Sequence, residues 1–264
     1  MDLQLREKLA LVTGSTAGIG YAIAEGLARE GASVIVNGRA APRLKSAVEA
    51  IRSKYPNSNV EGFQGDLSSA EGCNALASKY PAIDILVNNL GIFNPQPFEE
   101  INDDEWRKFF EVNVLSGVRL SRAYLPAMKQ KNWGRVVFIS SESAIHIPVE
   151  MIHYGFTKTA QLAISRGLAE TTAGTGVTVN AVLPGPTASE GVGDFVSKLA
   201  ASMSQSPAEF EKFFFEKVRP TSLLKRFAAP DEVANLVVFV CSPLASATNG
   251  AALRVDGGVV RTII

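Results

Sequence analysis

LALVTGSTAGIGYAIAEGLAREGA, residues 9–32, decides the fold. Leu9 to Val12 is a continuous apolar run, as expected of a strand buried on both faces of a parallel sheet. Thr13-Gly-Ser-Thr-Ala-Gly-Ile-Gly20 follows, and the next residues carry helical apolar periodicity that closes at Gly31, a candidate C-cap. Strand, glycine turn and helix form a βα unit. At the start of such a helix, free backbone N–H groups and the helix dipole favour an anion, and glycines let the backbone approach it. The glycines stand at Gly14, Gly18 and Gly20, with Ser15, Thr16 and Ile19 in the same turn. Their G-x-x-x-G-x-G spacing differs from the G-x-G-x-x-G pattern, and glycine turns before helices are common.

The unit repeats along the chain. Further apolar strand segments are read at 33–36, 59–63, 84–87, 135–139, 176–183 and 250–255. Helical patterns are read at 41–55, up to Tyr80, at 103–131, 152–173 and 231–241. This alternation predicts an α/β fold: a Rossmann-type doubly wound parallel sheet of about seven strands, with helices on both faces and right-handed crossovers. From residue 191 to 225 the alternation stops. Phe195, Phe210, Phe213, Phe214 and Phe215 lie there among charges, as in one or two amphipathic helices. That segment is read either as a satellite core or as a lid over a substrate pocket. No linker or repeat divides the chain, so residues 1–264 are read as one domain.

Bulk properties exclude several classes. The 26 basic and 26 acidic residues cancel, so no global field favours nucleic acid or an anionic membrane. Cys73 and Cys241 are far apart, and with two histidines they form no metal-ligand pattern, so no metal is expected. The apolar run before the first glycine is too short for a signal peptide or a membrane span. A cytoplasmic protein is expected.

Two local patterns carry chemistry. Strand two ends at Asn37-Gly-Arg39, with no acid before Arg43. In a dinucleotide fold a carboxylate here would bond the ribose of NAD(H), whereas an arginine accepts the 2′-phosphate of NADP(H). Arg39 therefore favours NADP(H) over NAD(H); the alternative is a surface arginine. Tyr154 and Lys158 share one face of the 152–173 helix. A nearby ammonium would lower the tyrosine pKa and make the pair a general acid/base. Alone, such a pair can equally be an aromatic beside a solvated lysine.

TGxxxGIG, Asn88-Asn-Leu-Gly91 after the fourth strand, Asn113 in the long helix, Ser141 thirteen residues before Tyr154, YxxxK and Pro184-Gly185 occur in order. With this set the chain resembles the short-chain dehydrogenase/reductase family over nearly its whole length. The resemblance implies a hydride transfer between NADP(H) and a carbonyl or secondary alcohol. In it Tyr154 is the general acid/base and Lys158 lowers the tyrosine pKa and bonds the nicotinamide ribose. Ser141, with Ser140 as competitor, holds the carbonyl oxygen, and Asn113 supports a water-linked proton path to Lys158. It also implies cofactor contacts from Gly14, Gly18, Ile19 and Gly20, from Asp66 and Leu67 beside the adenine, from Asn88 and Gly91, from Pro184 and Gly185, and from Ser189. Leu90 departs from the family's usual alanine and could crowd the adenine-side wall or the packing beneath it.

The family is commonly oligomeric through its long helices and last strand, which implies a homotetramer or homodimer. Two other functions stay open. One is 3-oxoacyl-thioester reduction with an acyl-carrier partner, for which Lys198, Lys212, Lys217 and Arg219 are candidate docking cations. The other is a non-catalytic dinucleotide-binding sensor. His146, Ile147, Pro148 and His153 are read as a mixed pocket wall, His153 more as a packing or surface group than as a second acid.

Overall fold

The computed structural model describes residues 1–189 and 206–263. Seven parallel strands form one sheet in the order β3-β2-β1-β4-β5-β6-β7. They are β1 (Leu9–Val12), β2 (Ser33–Gly38), β3 (Val60–Gln64), β4 (Ile85–Asn88), β5 (Gly134–Ile139), β6 (Val177–Pro184) and β7 (Ala252–Val255). The order reverses between β1 and β4, where Ala10 pairs with Ile85 and Val12 with Val87. Beyond the carboxyl ends of strands flanking such a reversal, helices leave to opposite faces and open a crevice.

The continuous apolar runs have a simple cause. Alternate residues of each strand face opposite sides, and both sides are covered. Ala10, Val12, Val34, Val36, Val87 and Val137 belong to one core, with Ile23 and Leu27 of α1 (Gly18–Arg29), Val48 and Ile51 of α2 (Ala41–Lys54) and residues near the chain's end. Leu11, Ile35, Leu86, Val136 and Phe138 belong to the other core. There they meet Leu76 of α3 (Ala70–Lys79) and Leu120, Tyr124 and Met128 of α5 (Ser116–Lys131). Ser69 caps α3, its hydroxyl accepting from the Gly72 N–H.

Two helical expectations change. The segment read as one helix over 103–131 is α4 (Asp103–Phe110), a wider π-type turn (Glu111–Leu115) and then α5. Such turns break the regular hydrogen-bond ladder and are frequent at functional sites; this one carries Asn113. Helix α6 (Ile152–Glu170) ends earlier than the periodicity suggested. Beyond residue 205 come α7 (Pro207–Phe213), a second π-type turn (Phe214–Val218) and α8 (Pro230–Val240). Phe210 and Phe215 are buried, as a satellite core requires. Phe195 and Lys198 lie outside the described residues.

Candidate active site

The glycine turn is held from both sides by asparagines. Asn37 is buried, and its Oδ1 accepts from the Gly14 N–H at 3.0 Å while its Nδ2 donates to the carbonyls of Phe63 and Gly65. Asn89 donates from Nδ2 to the carbonyls of Thr13 (2.9 Å) and Gly14 (3.0 Å). Thr13 Oγ1 accepts the N–H groups of Asn89 and Leu90. Gly14 (φ +59°) and Gly18 (φ +58°) occupy the left-handed region that glycine tolerates. A Cβ at Gly20 would stand 2.4 Å from Asn89 Nδ2 and 2.6 Å from the Gly14 oxygen, so a larger residue requires one of them to shift. Ser15 is fully buried; its hydroxyl donates to the Val12 carbonyl and accepts from the Asn37 N–H, so it shapes the turn from beneath.

A cavity of about 1030 Å³ runs from this turn across the carboxyl ends of the strands. Of the expected residues, Gly18, Ile19, Gly20, Arg39, Gly91, Ser141, Tyr154, Lys158, Pro184, Gly185 and Ser189 line it. Arg39 is exposed at one end, 3.7 Å from Asp66. The Ser68 hydroxyl, with the Arg39 guanidinium behind it, holds Asp66 below its ordinary carboxylate range. Arg43 lines the same end and was missed as a site residue; its place on the first turn of α2, four residues past Arg39, was the signal available.

Several expectations need correction. Asn88 does not reach the cavity: it is buried and donates to Ser121 Oγ on α5. Strand alternation turns it away and leaves Asn89 to brace the glycine turn. The Leu67 side chain is committed to the core. Leu90 packs on the same core under Gly14 instead of crowding the cavity wall. His146 and Ile147 are exposed, whereas His153 is a packing group, as one of its two readings had it, fully buried against Phe109 at 4.0 Å between ring centroids. The described wall is formed instead by Phe93, Pro95, Ser143, Glu150, Met151, Phe214 and Phe227 among others.

Ser141 stands just past β5, and Tyr154 and Lys158 project from α6. Ser140, its competitor, turns inward and donates to the Lys158 carbonyl at 2.9 Å. Ser141 Oγ donates to Glu142 Oε2 at 2.5 Å and accepts from the Ser143 N–H at 3.1 Å. Lys158 is buried; its Nζ donates to the Ile139 carbonyl (2.9 Å) and lies 5.5 Å from the centre of the Tyr154 ring. Burial pulls the Lys158 pKa down to about 8. The Tyr154 hydroxyl is pushed up from its ordinary value, first by burial and then by the nearby Glu142 carboxylate. This reverses the expected lowering by Lys158: desolvation of the phenolate and a second anion prevail.

Asn113 is buried, with its side chain bonded to both polar groups of the Ile92 backbone and to Thr157 Oγ1. Its carbonyl accepts from Gln161 Nε2 at 2.6 Å, while Gln161 Oε1 accepts from Lys158 Nζ at 3.4 Å. A buried glutamine thus joins Asn113 to Lys158. Gly91 lies against the same pair: a Cβ there would be in ordinary contact with Lys158 Nζ (3.4 Å) and Asn113 Oδ1 (3.5 Å).

The family model described as enoyl-(acyl carrier protein) reductase matches residues 14–260. The chain belongs to the short-chain dehydrogenase/reductase family. It is 51% identical to the uncharacterised oxidoreductase YvaG of Bacillus subtilis, covering 100% of both chains. It is 35% identical to the 3-oxoacyl-[acyl-carrier-protein] reductase FabG of Aquifex aeolicus, over 98% of this chain and 100% of the relative. Among solved structures, L-sorbose reductase of Gluconobacter frateurii, complexed with NADPH and L-sorbose, superposes with a TM-score of 0.94 at 31% identity and covers 100% of both chains. Membership accounts for the convergence of Ser141, Tyr154 and Lys158 on one cavity. It leaves Glu142, Gln161 and Arg219 to be explained from this chain's own geometry.

Proposed function

We propose that this chain is an NADP(H)-dependent oxidoreductase that interconverts a carbonyl and a secondary alcohol. The carrying observation is that Ser141, Tyr154 and Lys158 line the same cavity as a glycine turn at a helix N-terminus. The residues fit the cofactor. Gly18 to Gly20 face the cavity for a pyrophosphate, Arg39 and Arg43 stand at one end for a 2′-phosphate, and Pro184, Gly185 and Ser189 line the other side. When bound, the nicotinamide supplies or takes the hydride. Tyr154 gives a proton to the substrate oxygen during reduction, and Ser141 orients that oxygen. Lys158 bonds the ribose, while Asn113 and Gln161 hold the Lys158 side of the site. Residues 206–225 form a lid, where Phe214, Val218 and Arg219 line the cavity.

The test is NADPH oxidation with a panel of ketoses, simple ketones and 3-oxoacyl thioesters, comparing the natural chain with Tyr154→Phe. Turnover that survives the substitution unchanged removes the assigned chemistry. A thioester in the panel addresses the second reading, which the similarity to 3-oxoacyl reductases favours. The docking cations expected for an acyl carrier give it little support. Arg219 is buried in ion pairs and Lys212 approaches Glu216 at 4.0 Å.

We assign a homotetramer or homodimer and a cytoplasmic location. Support for assembly is an apolar groove between α5 and α6, lined by Val118, Leu125, Ile164 and Leu168, and the exposed Phe110 and Phe156 nearby. Light scattering behind size exclusion reads the subunit number, and a monomer rejects the assignment. Among the described residues, no helix is long and apolar enough to cross a membrane.

A further inference from the structure

Arg219 reaches the cavity from the lid, and two carboxylates hold it there. It follows the π-type turn after α7, is 8% exposed and lines the cavity. Its Nε donates to Glu142 Oε1 at 3.3 Å, and its Nη1 donates to Glu150 Oε1 at 3.4 Å and to the Val218 carbonyl at 3.1 Å. Glu142 comes from the turn after β5 and is buried; its Oε2 accepts from Ser141 Oγ, from Ser143 Oγ and from the Ser143 N–H. Glu150 comes from the turn before α6, where its backbone oxygen accepts from the Gln96 N–H. A guanidinium this enclosed is costly without counter-charge, and Glu142 supplies it.

The two carboxylates do not use the guanidinium up. Neither takes two of its N–H groups in the bidentate manner that arginine and carboxylate favour, and both bonds are longer than the ~2.7–2.9 Å of a close charge-assisted pair. Among the described residues Arg219 Nη2 has no hydrogen-bond partner, and neither has Glu150 Oε2. The Glu150 side chain is 41% exposed and lines the same cavity. A donor and an acceptor on two bonded side chains thus stay open beside each other. Much of the wall around them is apolar, from Phe93, Met151, Phe214, Val218 and Phe227. Ser141 is one carboxylate away, so a small molecule whose carbonyl oxygen rests on Ser141 can reach them.

The chemistry of the open pair decides what it selects. An alkyl group leaves Nη2 and Oε2 unpaired once water is displaced. A carboxylate or phosphate accepts from Arg219 but has no proton for Glu150, and it meets a cluster in which two carboxylates face one guanidinium. An ammonium donates to Glu150 but faces the Arg219 charge. A hydroxyl accepts from Nη2 and donates to Oε2 with one oxygen. We propose that Arg219 and Glu150 are specificity-determining residues that select a hydroxyl group on the substrate, so that the chain acts on uncharged hydroxyketones. The inference rests on the proposed function and names its substrate class. Glu142 is the positioning residue that holds Arg219 at the wall and Ser141 beneath the carbonyl, and so fixes the span between the two recognition points.

The experiment measures ketone binding by calorimetry to Tyr154→Phe loaded with NADPH, which holds the site without consuming the ketone. The probes are methyl ketones whose chains end in methyl, hydroxymethyl or carboxylate, matched at three chain lengths. At one or more lengths the hydroxymethyl ketone is expected to bind roughly 10–100-fold more tightly than its methyl partner, as bonds to charged groups allow, and more tightly than the carboxylate. Glu150→Ala and Arg219→Met, each in that background, shrink the hydroxymethyl preference to less than about 3-fold. Glu150→Gln keeps an acceptor but removes the charge, so the carboxylate ketone gains on the hydroxymethyl one. Arg219→Met strips Glu142 of its counter-charge and costs stability, whereas Glu150→Ala alters a partly exposed group and carries the test if the other variant unfolds. Equal binding of the hydroxymethyl and methyl ketones at every length, no binding of any of them, tightest binding of the carboxylate, or a preference that survives Glu150→Ala overturns the inference. NADPH oxidation by the natural chain is followed with the same ketones. A ketone that binds but is not reduced rejects the proposed function, while the binding ratios judge the substrate class separately.

Discussion

Gly20→Ala sets two opposing effects against each other. Alanine in a helix interior is favoured over glycine by ~1 kcal/mol. Gly20 lies in the first turn of α1, so propensity alone predicts a small gain. The structure predicts a loss. The new Cβ would stand 2.4 Å from Asn89 Nδ2 and 2.6 Å from the Gly14 oxygen, and Asn89 is the brace of the turn. If Asn89 withdraws, its bonds to Thr13 and Gly14 go with it, at about 0.5–1.5 kcal/mol each. If it stays, overpacking costs about 1–3 kcal/mol. Either route at least offsets propensity and leaves a net destabilisation of up to about 2 kcal/mol. For a chain of this size that lowers Tm by up to roughly 8 °C. Displacing the Gly14 backbone also spoils the anion cradle, so NADPH affinity falls by at least ~10-fold, or ~1.4 kcal/mol. Thermal unfolding with and without NADPH, together with fluorescence titration of the cofactor, reads both effects. An alanine variant with unchanged Tm and unchanged NADPH affinity refutes the reasoning, because it would mean that the turn does not depend on the Asn89 brace.

Three further outcomes are expected. Arg39→Asp places a second acid beside Asp66 and removes a charge-assisted contact of about 1.5–3 kcal/mol, so NADPH affinity falls by roughly 10–150-fold; NADH affinity, measured in parallel, changes far less, and equal effects would dismiss the phosphate contact. His153 is buried with neither ring nitrogen bonded, and burial lowers its pKa from 6.5 against a weaker opposing pull from Glu105. The unfolded chain therefore binds this proton more readily, so the stability is fully present above about pH 6.5 and is lost as pH falls below it; His153→Phe should flatten the acid limb of a Tm-versus-pH curve, and an unchanged limb assigns the acid loss elsewhere. Gln161→Leu leaves the Asn113 carbonyl buried without its partner, at about 1–3 kcal/mol, and loosens Lys158; Tm and kcat should both drop with little change in substrate KM, and a variant with natural Tm would show that the bond to Asn113 contributes nothing.

The fold was legible because its information is local. Each strand is a short apolar run buried on both faces, so periodicity and length find it, and β1 to β7 all lie within a few residues of where they were read. The glycine turn was legible because positive φ at Gly14 and Gly18 demands the residue type. Boundaries slipped where the backbone departs from regular geometry, above all at the π-type turn carrying Asn113, which leaves no compositional trace. The site was half legible. Its members could be matched to a pattern, but their partners could not, since Glu142 and Arg219 are separated by 77 positions in the chain. Asn88 and Asn89 are neighbours with opposite orientations, and only knowing where β4 ends assigns the brace to the second. The asparagine at the end of β2 was read only as the absence of an acid; it is a buried support of the glycine turn.

The reversal at Tyr154 shows how far a pairwise reading can mislead. Tyrosine and lysine four residues apart suggest a phenolate stabilised by an ammonium. In the folded chain both groups are desolvated, which disfavours the charged form of each, raising the tyrosine and lowering the lysine. Lys158 also directs its ammonium to the Ile139 carbonyl, and the charge that acts on Tyr154 is Glu142. The resting site therefore favours a neutral tyrosine. In reduction, the donor must hold its proton until the substrate oxygen becomes basic and release it then. A neutral tyrosine, kept so by its burial, meets that requirement.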